Sequence, residues 1–398
     1  MKSIFLRLSL LMFLQYSIWG CWMATLGTYL LETLHFSGRQ VGVIYGCTAI
    51  AASMSPFWVG LVADRWMNVE KLLGILHLAA AICMWGASQT EDFGWFYFFM
   101  QLNALFFLPT FGLANSLCFQ HLPDSGRTYP RVRVWGTIAW ILAGLALSRW
   151  SLEANVLQLK LAALFTLLQG AYCFTLPATP PQPGAARNLR SLFSGEMRDL
   201  LRDPSLSVLF IALVLSCLPI AYYYSFVNPY LNDLNVANPA GMMTLGQASE
   251  AVVMLLMPWA LSRLSFRYLI FTGLLAWGVR YALLAMGHPD QSPHWLYLGI
   301  ALHGLAYGWS ALAAQIYLDS RVPGHLRSTA QGFVSFLTLG AGAFIGAYFA
   351  GETVNWHTLP DGSRQWTYIW IYPTLLGVAV ALWFLWKFRQ RGAVGKAT

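Results

Sequence analysis

Charged residues are scarce in this sequence, and their scarcity excludes most soluble proteins. Asp, Glu, Lys and Arg make up 10% of the 398 residues, whereas hydrophobic residues make up 57%. The mean hydropathy is +0.54. A soluble globular domain has about 25% charged residues. A chain so poor in charge and so rich in apolar side chains is typical of a protein that lies in a lipid bilayer.

Cysteines are few, and motifs for metal, phosphate or catalysis are missing. All six cysteines fall inside apolar segments, so buried thiols are indicated rather than disulfides or a metal site. No Gly-rich phosphate loop of the Walker type occurs, and nothing suggests ATP-driven transport. No Ser/His/Asp arrangement is apparent either. The sequence therefore predicts a protein that is not an enzyme and that uses no cofactor.

Long apolar segments are what the sequence does contain. A helix needs about 20 residues to cross a bilayer, and twelve segments of this kind recur from end to end. They cover residues 5–30, 41–62, 71–89, 95–118, 134–150, 155–175, 207–228, 242–262, 267–287, 294–318, 328–350 and 366–386. The sequence therefore predicts an all-α polytopic membrane protein with twelve transmembrane helices.

The basic residues are distributed unevenly along these segments. If the N-terminus is cytoplasmic, all but five of the 24 Lys and Arg fall on the cytoplasmic side. The five exceptions are Arg39, Arg149, Lys160, Arg280 and Arg364. This positive-inside pattern predicts that both termini are cytoplasmic and that the basic excess contacts lipid rather than nucleic acid. We expect Arg280 to lie near the outer end of its span and to extend to the interface.

A central polar stretch divides the segments into two sets of six. Residues 178–205, "ATPPQPGAARNLRSLFSGEMRDLLRDPS", combine prolines with arginines and acids. We predict an N-terminal six-helix bundle at 1–177, a cytoplasmic linker at 178–205 and a C-terminal six-helix bundle at 206–398. Six spans on each side of a central linker is the layout of the major facilitator fold.

The loop after the second segment carries a recognisable motif. The stretch "GLVADRWMNVEK" resembles the signature loop between spans two and three of the major facilitator superfamily. Asp64 can pair or cap at a helix end, and Arg65 can contact headgroups or a neighbouring helix. We therefore name Asp64 and Arg65 as candidate gating residues. An ordinary cytoplasmic turn is the alternative.

One carboxylate is predicted deep inside a span. Of the sixteen acids, Glu250 is the one that does not map to a loop or a helix end, and Gln247 shares its helical face. A charge at the centre of a spanning helix costs about 2.5–3.5 kcal/mol, and such groups usually serve a function. The alternative is a structural role, in which a neighbouring helix satisfies the hydrogen bonds of the Glu250 carboxylate and the contact only holds the two helices together.

Further polar groups occur in the fifth, seventh and tenth segments. They are Arg133, Thr137 and Trp140 at helical spacing, Tyr222, Tyr223 and Tyr224 after Pro219, and His303 with Tyr307 one turn later. Each has a structural alternative. Arg133 fits a basic residue at a helix entry, the tyrosines fit an interfacial aromatic belt, and His303 fits a hydrogen-bonded structural histidine.

Five stretches resemble the nucleoside:proton symporter family of the major facilitator superfamily, and the similarity covers nearly the whole chain. They are "FLQYSIWGCWMATLGTYL", "LPTFGLANS", "RVRVWGTIAW", "TLGQASE" and "LRSTAQGF". The resemblance implies proton-coupled uptake of a nucleoside by alternating access in the cell inner membrane. It implies a nucleoside and a proton as partners, and we expect a monomer. A major facilitator symporter or exporter for a sugar or drug is the alternative, and a non-transporting receptor is a weaker one.

The resemblance also implies a substrate site at the interface of the halves. The matching positions are Arg133, Thr137, Trp140, Gln247, Glu250, His303 and Tyr307. Polar groups of this kind suit ribose hydroxyls and base edges, while aromatic faces suit a planar base. Glu250 is also the expected proton carrier. The sequence departs from the family at Ala221, Tyr224, His303 and Gly308, where amides, an aromatic residue and an acid are expected, so the nucleoside itself stays open.

Overall fold

The computed structural model describes most of the chain. The described residues are 2–122, 125–181, 200, 202–322 and 327–390. They are almost entirely helical, with one isolated bridge between Thr358 and Arg364. Most of the predicted linker at 178–205 lies outside the described residues, so its bounds stay a prediction.

The chain forms two compact units. The first contains Met1–Arg187 and Asn238–Gly241, and the second contains Asn188–Ala237 and Met242–Thr398. Each unit has its own apolar core: residues such as Leu73 and Leu117 pack in the first, and residues such as Leu274 and Phe384 pack in the second. The helices of each unit are therefore held by side chains of that unit.

The first unit supplies the first six predicted spans. Its helices are α1 (Lys2–Gly20), α2 (Leu26–Thr28), α3 (Gly38–Arg65), α4 (Val69–Ala87), α5 (Phe93–His121), α6 (Ser125–Arg149) and α7 (Leu157–Cys173). A π-helical turn at Tyr29–Thr33 follows α2 and completes the first span. Helix α3 begins with a capping box between Ser37 and Gln40, and Asp92 caps α5 by accepting from the Trp95 N–H.

The second unit supplies the other six. Its helices are α8 (Pro204–Asp233), α9 (Pro239–Arg263, which belongs to this unit from Met242 onward), α10 (Phe266–Met286), α11 (Pro293–Tyr307), α12 (Ala313–Arg321), α13 (Arg327–Ser335), α14 (Ala343–Trp356) and α15 (Trp366–Lys387). A π-helical turn at Gly308–Leu312 joins α11 to α12, and another at Phe336–Gly342 joins α13 to α14. Such turns are frequent at functional sites.

Length and hydropathy agree with a membrane location. Within the described residues, eight helices are long and apolar enough to cross a bilayer, and Ile4–Gly20 is a shorter apolar helix. The remaining predicted spans are also helical. Large apolar side chains such as Ile82 and Leu255 are 72% and 82% exposed, as expected of surfaces that face lipid. The six cysteines are buried, as the sequence predicts.

Candidate functional site

Helices α9 and α11 approach each other closely at Gly304. A β-carbon at Gly304 would lie 2.3 Å from the carbonyl carbon of Ser249, so only glycine fits at this crossing. The Gly304 N–H donates to the Ser249 hydroxyl at 2.9 Å. Glu250 follows Ser249 directly and His303 precedes Gly304, so this backbone contact brings the two side chains together.

Glu250 and His303 form the centre of the arrangement. The Glu250 carboxylate lies in the middle of α9, and its Oε2 is 3.9 Å from His303 Nε2. That distance is too long for a direct hydrogen bond, so the two side chains are close neighbours that do not bond directly. The His303 side chain is 1% exposed, whereas that of Glu250 is 24% exposed. The carboxylate can therefore meet a solute or water while the imidazole stays covered.

Arg280 completes the arrangement, and here the sequence prediction is wrong. Arg280 of α10 does not extend to the outer interface: it is fully buried, and its Nη1 donates to His303 Nδ1 at 3.0 Å. Its backbone carbonyl packs against Gly299 of α11, so this face of α10 turns toward the protein. Nε and Nη2 of Arg280 have no hydrogen-bond partner in the part of the chain that the structure describes.

Aromatic rings replace water around the guanidinium. The Arg280 carbon Cζ lies 4.1 Å from the ring centroid of Tyr223, 5.1 Å from that of Trp277 and 5.7 Å from that of Tyr281. Cation–π contacts of this kind stabilise a desolvated cation. The His303 ring stacks on Tyr223 with centroids 4.4 Å apart and an interplanar angle of 21°. We call Glu250, His303, Arg280 and Tyr223 the His303 cluster.

The remaining predicted residues of the second unit lie beside this cluster. Tyr307 stacks on His303 with centroids 6.1 Å apart and is half-buried. Gln247 is half-buried one turn before Glu250, and the preceding Gly246 closely approaches the Tyr223 hydroxyl. Tyr222 and Tyr223 are fully buried, which excludes an interfacial belt for those two rings.

The predicted residues of the first unit lie on α6. The Arg133 guanidinium carbon is 3.9 Å from the ring centroid of Tyr16 on α1. A β-carbon at Gly136 would lie 2.5 Å from the same ring. Thr137 and Trp140 are half-buried, as Arg133 is. All three side chains are therefore partly exposed on one helix, and their contact with a substrate stays a prediction.

The candidate gating residues lie at the C-terminal end of α3. Asp64 is the penultimate residue of that helix and Arg65 is its last. Their side chains lie outside the described part of the structure, so the gating role stays a prediction. Among the described residues, no three His, Cys, Asp or Glu side chains are grouped to bind a metal ion.

A second buried histidine was missed in the sequence. His77 of α4 is fully buried, and its Nε2 donates to Gln15 Oε1 of α1 at 3.0 Å. Gln15 Nε2 donates to the Thr110 hydroxyl at 2.7 Å, and Gln169 Nε2 donates to Gln15 Oε1 at 3.4 Å. We call His77, Gln15, Thr110 and Gln169 the His77 network. The sequence signal that could have indicated this network is one polar residue in each of four apolar segments.

Comparison with known proteins decides the family. The sequence model of the nucleoside H+ symporter family matches residues 1–393, almost the whole chain. This chain belongs to that family. It is 34% identical to YegT of Escherichia coli (strain K12) over 96% of this chain and 93% of that protein. It is 30% identical to the xanthosine permease of the same organism over 97% of this chain and 96% of that protein.

A solved structure matches the whole fold. The crystal structure of the nucleoside transporter NupG aligns with a TM-score of 0.91 and 27% identity. The alignment covers 98% of this chain and 100% of the NupG chain. In sequence, this chain is also 27% identical to the nucleoside permease NupG of Escherichia coli (strain K12) over 97% of this chain and 96% of that protein. The chain is therefore a multi-pass transporter of the major facilitator fold, not an enzyme. The sugar, drug and receptor alternatives are not favoured.

Proposed function

We propose that this protein imports nucleosides together with protons, and that Glu250 carries the proton. The observation that supports this most is the position of Glu250. It is a carboxylate in the middle of an apolar helix, partly exposed on one side and held beside a buried imidazole on the other. A carboxyl group so placed can bind a proton from one side of the membrane and release it to the other.

The substrate contacts follow from exposure. Gln247, Glu250 and Tyr307 are half-buried and adjacent, so they can meet a nucleoside directly. An amide and a carboxyl group suit ribose hydroxyls and base edges, and the Tyr307 ring suits the base. His303 is covered by its neighbours, so we assign it to supporting Glu250 rather than to a broad substrate contact.

Three residues of the first unit complete the proposed substrate set. Arg133, Thr137 and Trp140 offer a guanidinium, a hydroxyl and an indole from one face of α6. The contact with Tyr16 fixes the direction of the Arg133 side chain. We propose that this set also contacts the nucleoside, and variants of each residue test it separately from the α9 and α11 set.

The transport cycle follows from the charge of Glu250. Protonation on the outer side removes a charge that is costly in a dry site, so substrate and proton enter together. Release of the proton on the inner side restores the charge and weakens the hold on the substrate. We further propose a monomer in the bacterial inner membrane with both termini in the cytoplasm, and Asp64 and Arg65 as residues of the gating loop.

Uptake into proteoliposomes tests the proposal. Purified protein is reconstituted, and labelled uridine, adenosine, xanthosine, maltose and a cationic dye are compared with and without an acidic exterior. We expect a nucleoside to accumulate about tenfold for each pH unit of gradient if one proton moves with it, since tenfold corresponds to about 1.4 kcal/mol. Accumulation of maltose or of the dye instead of a nucleoside would overturn the proposal. Nucleoside uptake that is equal with and without the pH gradient would overturn it as well.

A further inference from the structure

The hydrogen bond from Arg280 fixes which nitrogen of His303 carries the hydrogen. Arginine has only donors, so the His303 Nδ1 that faces Arg280 Nη1 at 3.0 Å must be the acceptor. A neutral imidazole with an unprotonated Nδ1 carries its hydrogen on Nε2. That nitrogen is the one directed at Glu250 Oε2, 3.9 Å away. The imidazole therefore has an N–H, not a lone pair, on the nitrogen nearest the carboxylate.

The same hydrogen bond prevents His303 from taking a proton. A second proton would have to sit on Nδ1, which already accepts from a guanidinium that keeps its charge at any physiological pH. The other titratable groups around the ring are Tyr223 and Tyr224 of α8, Tyr307 of α11 and Glu250 of α9. Of these, Glu250 is the one carboxyl group; a tyrosine hydroxyl ordinarily keeps its proton up to about pH 10, so the carboxyl is the group left to exchange a proton.

We propose that Arg280 is a positioning residue for proton coupling: it holds His303 neutral, with the hydrogen on Nε2, so that the transported proton goes to Glu250. The proposal rests on the proposed function above and adds a role that the sequence did not suggest. It also gives a reason for a fully buried arginine that is separated from the Glu250 carboxylate by the His303 ring. Arg280 touches His303 rather than the proposed substrate contacts, so it acts through His303.

Solid-state NMR of ¹⁵N-histidine protein in lipid tests the histidine state without any transport. The His303 signals are assigned by their loss in His303→Gln. We expect wild-type His303 to stay neutral with the hydrogen on Nε2 from about pH 5 to about pH 8. In Arg280→Met, the freed Nδ1 should bind a proton within this range. A wild-type His303 that protonates in this range, or that carries its hydrogen on Nδ1, would overturn the proposal.

Transport by the same variants tests the consequence. We expect Arg280→Met to lower gradient-driven nucleoside uptake about tenfold and to move its pH profile by about one unit to higher pH, because no cation then opposes protonation of the imidazole. Substrate exchange without a gradient should persist. Arg280→Lys should restore much of the wild-type profile, because lysine can still donate to Nδ1. An unchanged profile in both variants contradicts the role.

The two readouts also separate this inference from the proposed function. If the protein moves no nucleoside in any condition, the proposed function fails while the NMR result still decides the state of His303. If Arg280→Met does not fold, Arg280→Lys and the wild-type spectra carry the test. In that case a titrating His303 in the wild-type protein is the result that contradicts the role of Arg280.

Discussion

The two units each bury a histidine, and the neighbours of the two rings differ in charge. His77 donates from Nε2 to the Gln15 amide, and the other members of its network are the side chains of Thr110 and Gln169. His303 instead lies between a guanidinium and a carboxylate. A proton that arrives at the His77 network would add an uncompensated charge to a dry interior. At the His303 cluster it neutralises a carboxylate. We therefore expect proton coupling to depend on the second unit.

The largest expected effect comes from removing the charge of Glu250. Glu250→Gln keeps the shape of the side chain but cannot release a proton, so gradient-driven accumulation of nucleoside should fall about 100-fold, as when a positioned acid–base group is lost. Exchange of labelled for unlabelled substrate should continue. The matched control is Glu352→Gln, since Glu352 is also a buried carboxylate of the second unit but lies near the end of α14. Equal losses in both variants would remove the distinction between the two carboxylates.

Separating α9 from α11 is the next largest change. Gly304→Val adds a side chain where a β-carbon already lies 2.3 Å from Ser249, so we expect a loss of about 3 kcal/mol in stability and a strong loss of uptake. Gly112→Val on α5 is the control, because a β-carbon there meets nothing within 4 Å. Thermal unfolding in detergent measures both. A Gly304 variant as stable as the Gly112 variant would refute the close approach.

Exchanging the two histidines for glutamine sharpens the comparison directly. His303→Gln should lower gradient-driven uptake about tenfold and change its pH profile, because the group between Arg280 and Glu250 is altered. His77→Gln should cost about 1–3 kcal/mol of stability through an altered buried hydrogen bond but leave the pH profile in place. Uptake over a pH series and thermal unfolding separate the two effects. A pH profile that changes with His77 and not with His303 would reverse our assignment.

A smaller effect is expected in the first unit at Tyr16. Tyr16→Leu removes the ring under the Arg133 guanidinium, a contact worth about 1 kcal/mol at a partly exposed site. We expect nucleoside affinity to weaken several-fold while proton coupling persists. Tyr16→Phe, which keeps the ring, is the control. If the leucine variant changed the coupling and spared the affinity, Arg133 would belong to the proton pathway rather than to substrate binding.

No effect on the pH profile is expected from the exposed loop before α15. The Ser363 hydroxyl and N–H donate to Asp361, and these hydrogen bonds hold the pKa of that exposed carboxyl below its usual value. A lowered pKa keeps Asp361 ionised at the pH values used for transport, so it binds no proton there. Asp361→Asn should therefore transport with the wild-type pH profile. A shifted profile would place a coupling group outside the His303 cluster.

Hydropathy was sufficient to predict the helices but not the partners of the buried charges. All twelve apolar segments are mainly helical, with a turn at 21–25 in the first, because a chain in lipid must satisfy its backbone hydrogen bonds within each segment. Glu250 was found because a carboxylate in an apolar run is costly wherever it points. Arg280 was misjudged because it lies closer to a helix end, where an arginine can also reach the interface.

The direction of Arg280 depends on packing that a single sequence does not encode in an obvious way. Arg280 lies on the face of α10 that packs against α11 at Gly299. Gly299 is one of many glycines in the chain, so the sequence does not single it out as the crossing point. A usable signal did exist. Trp277 and Tyr281 flank Arg280 within one turn on either side, and Glu250 is a carboxylate inside a span of the same unit. Charge balance between spans would have paired Arg280 with Glu250 through His303.

Simultaneous measurement of proton and nucleoside flux tests the central claim most directly. Proteoliposomes that contain a pH-sensitive dye are given labelled nucleoside, and both fluxes are recorded for the wild-type protein and for Glu250→Gln. We predict that protons enter with nucleoside in the wild-type protein, and that the variant exchanges nucleoside with no accompanying proton flux. Proton entry with nucleoside at the wild-type ratio in Glu250→Gln would contradict the account.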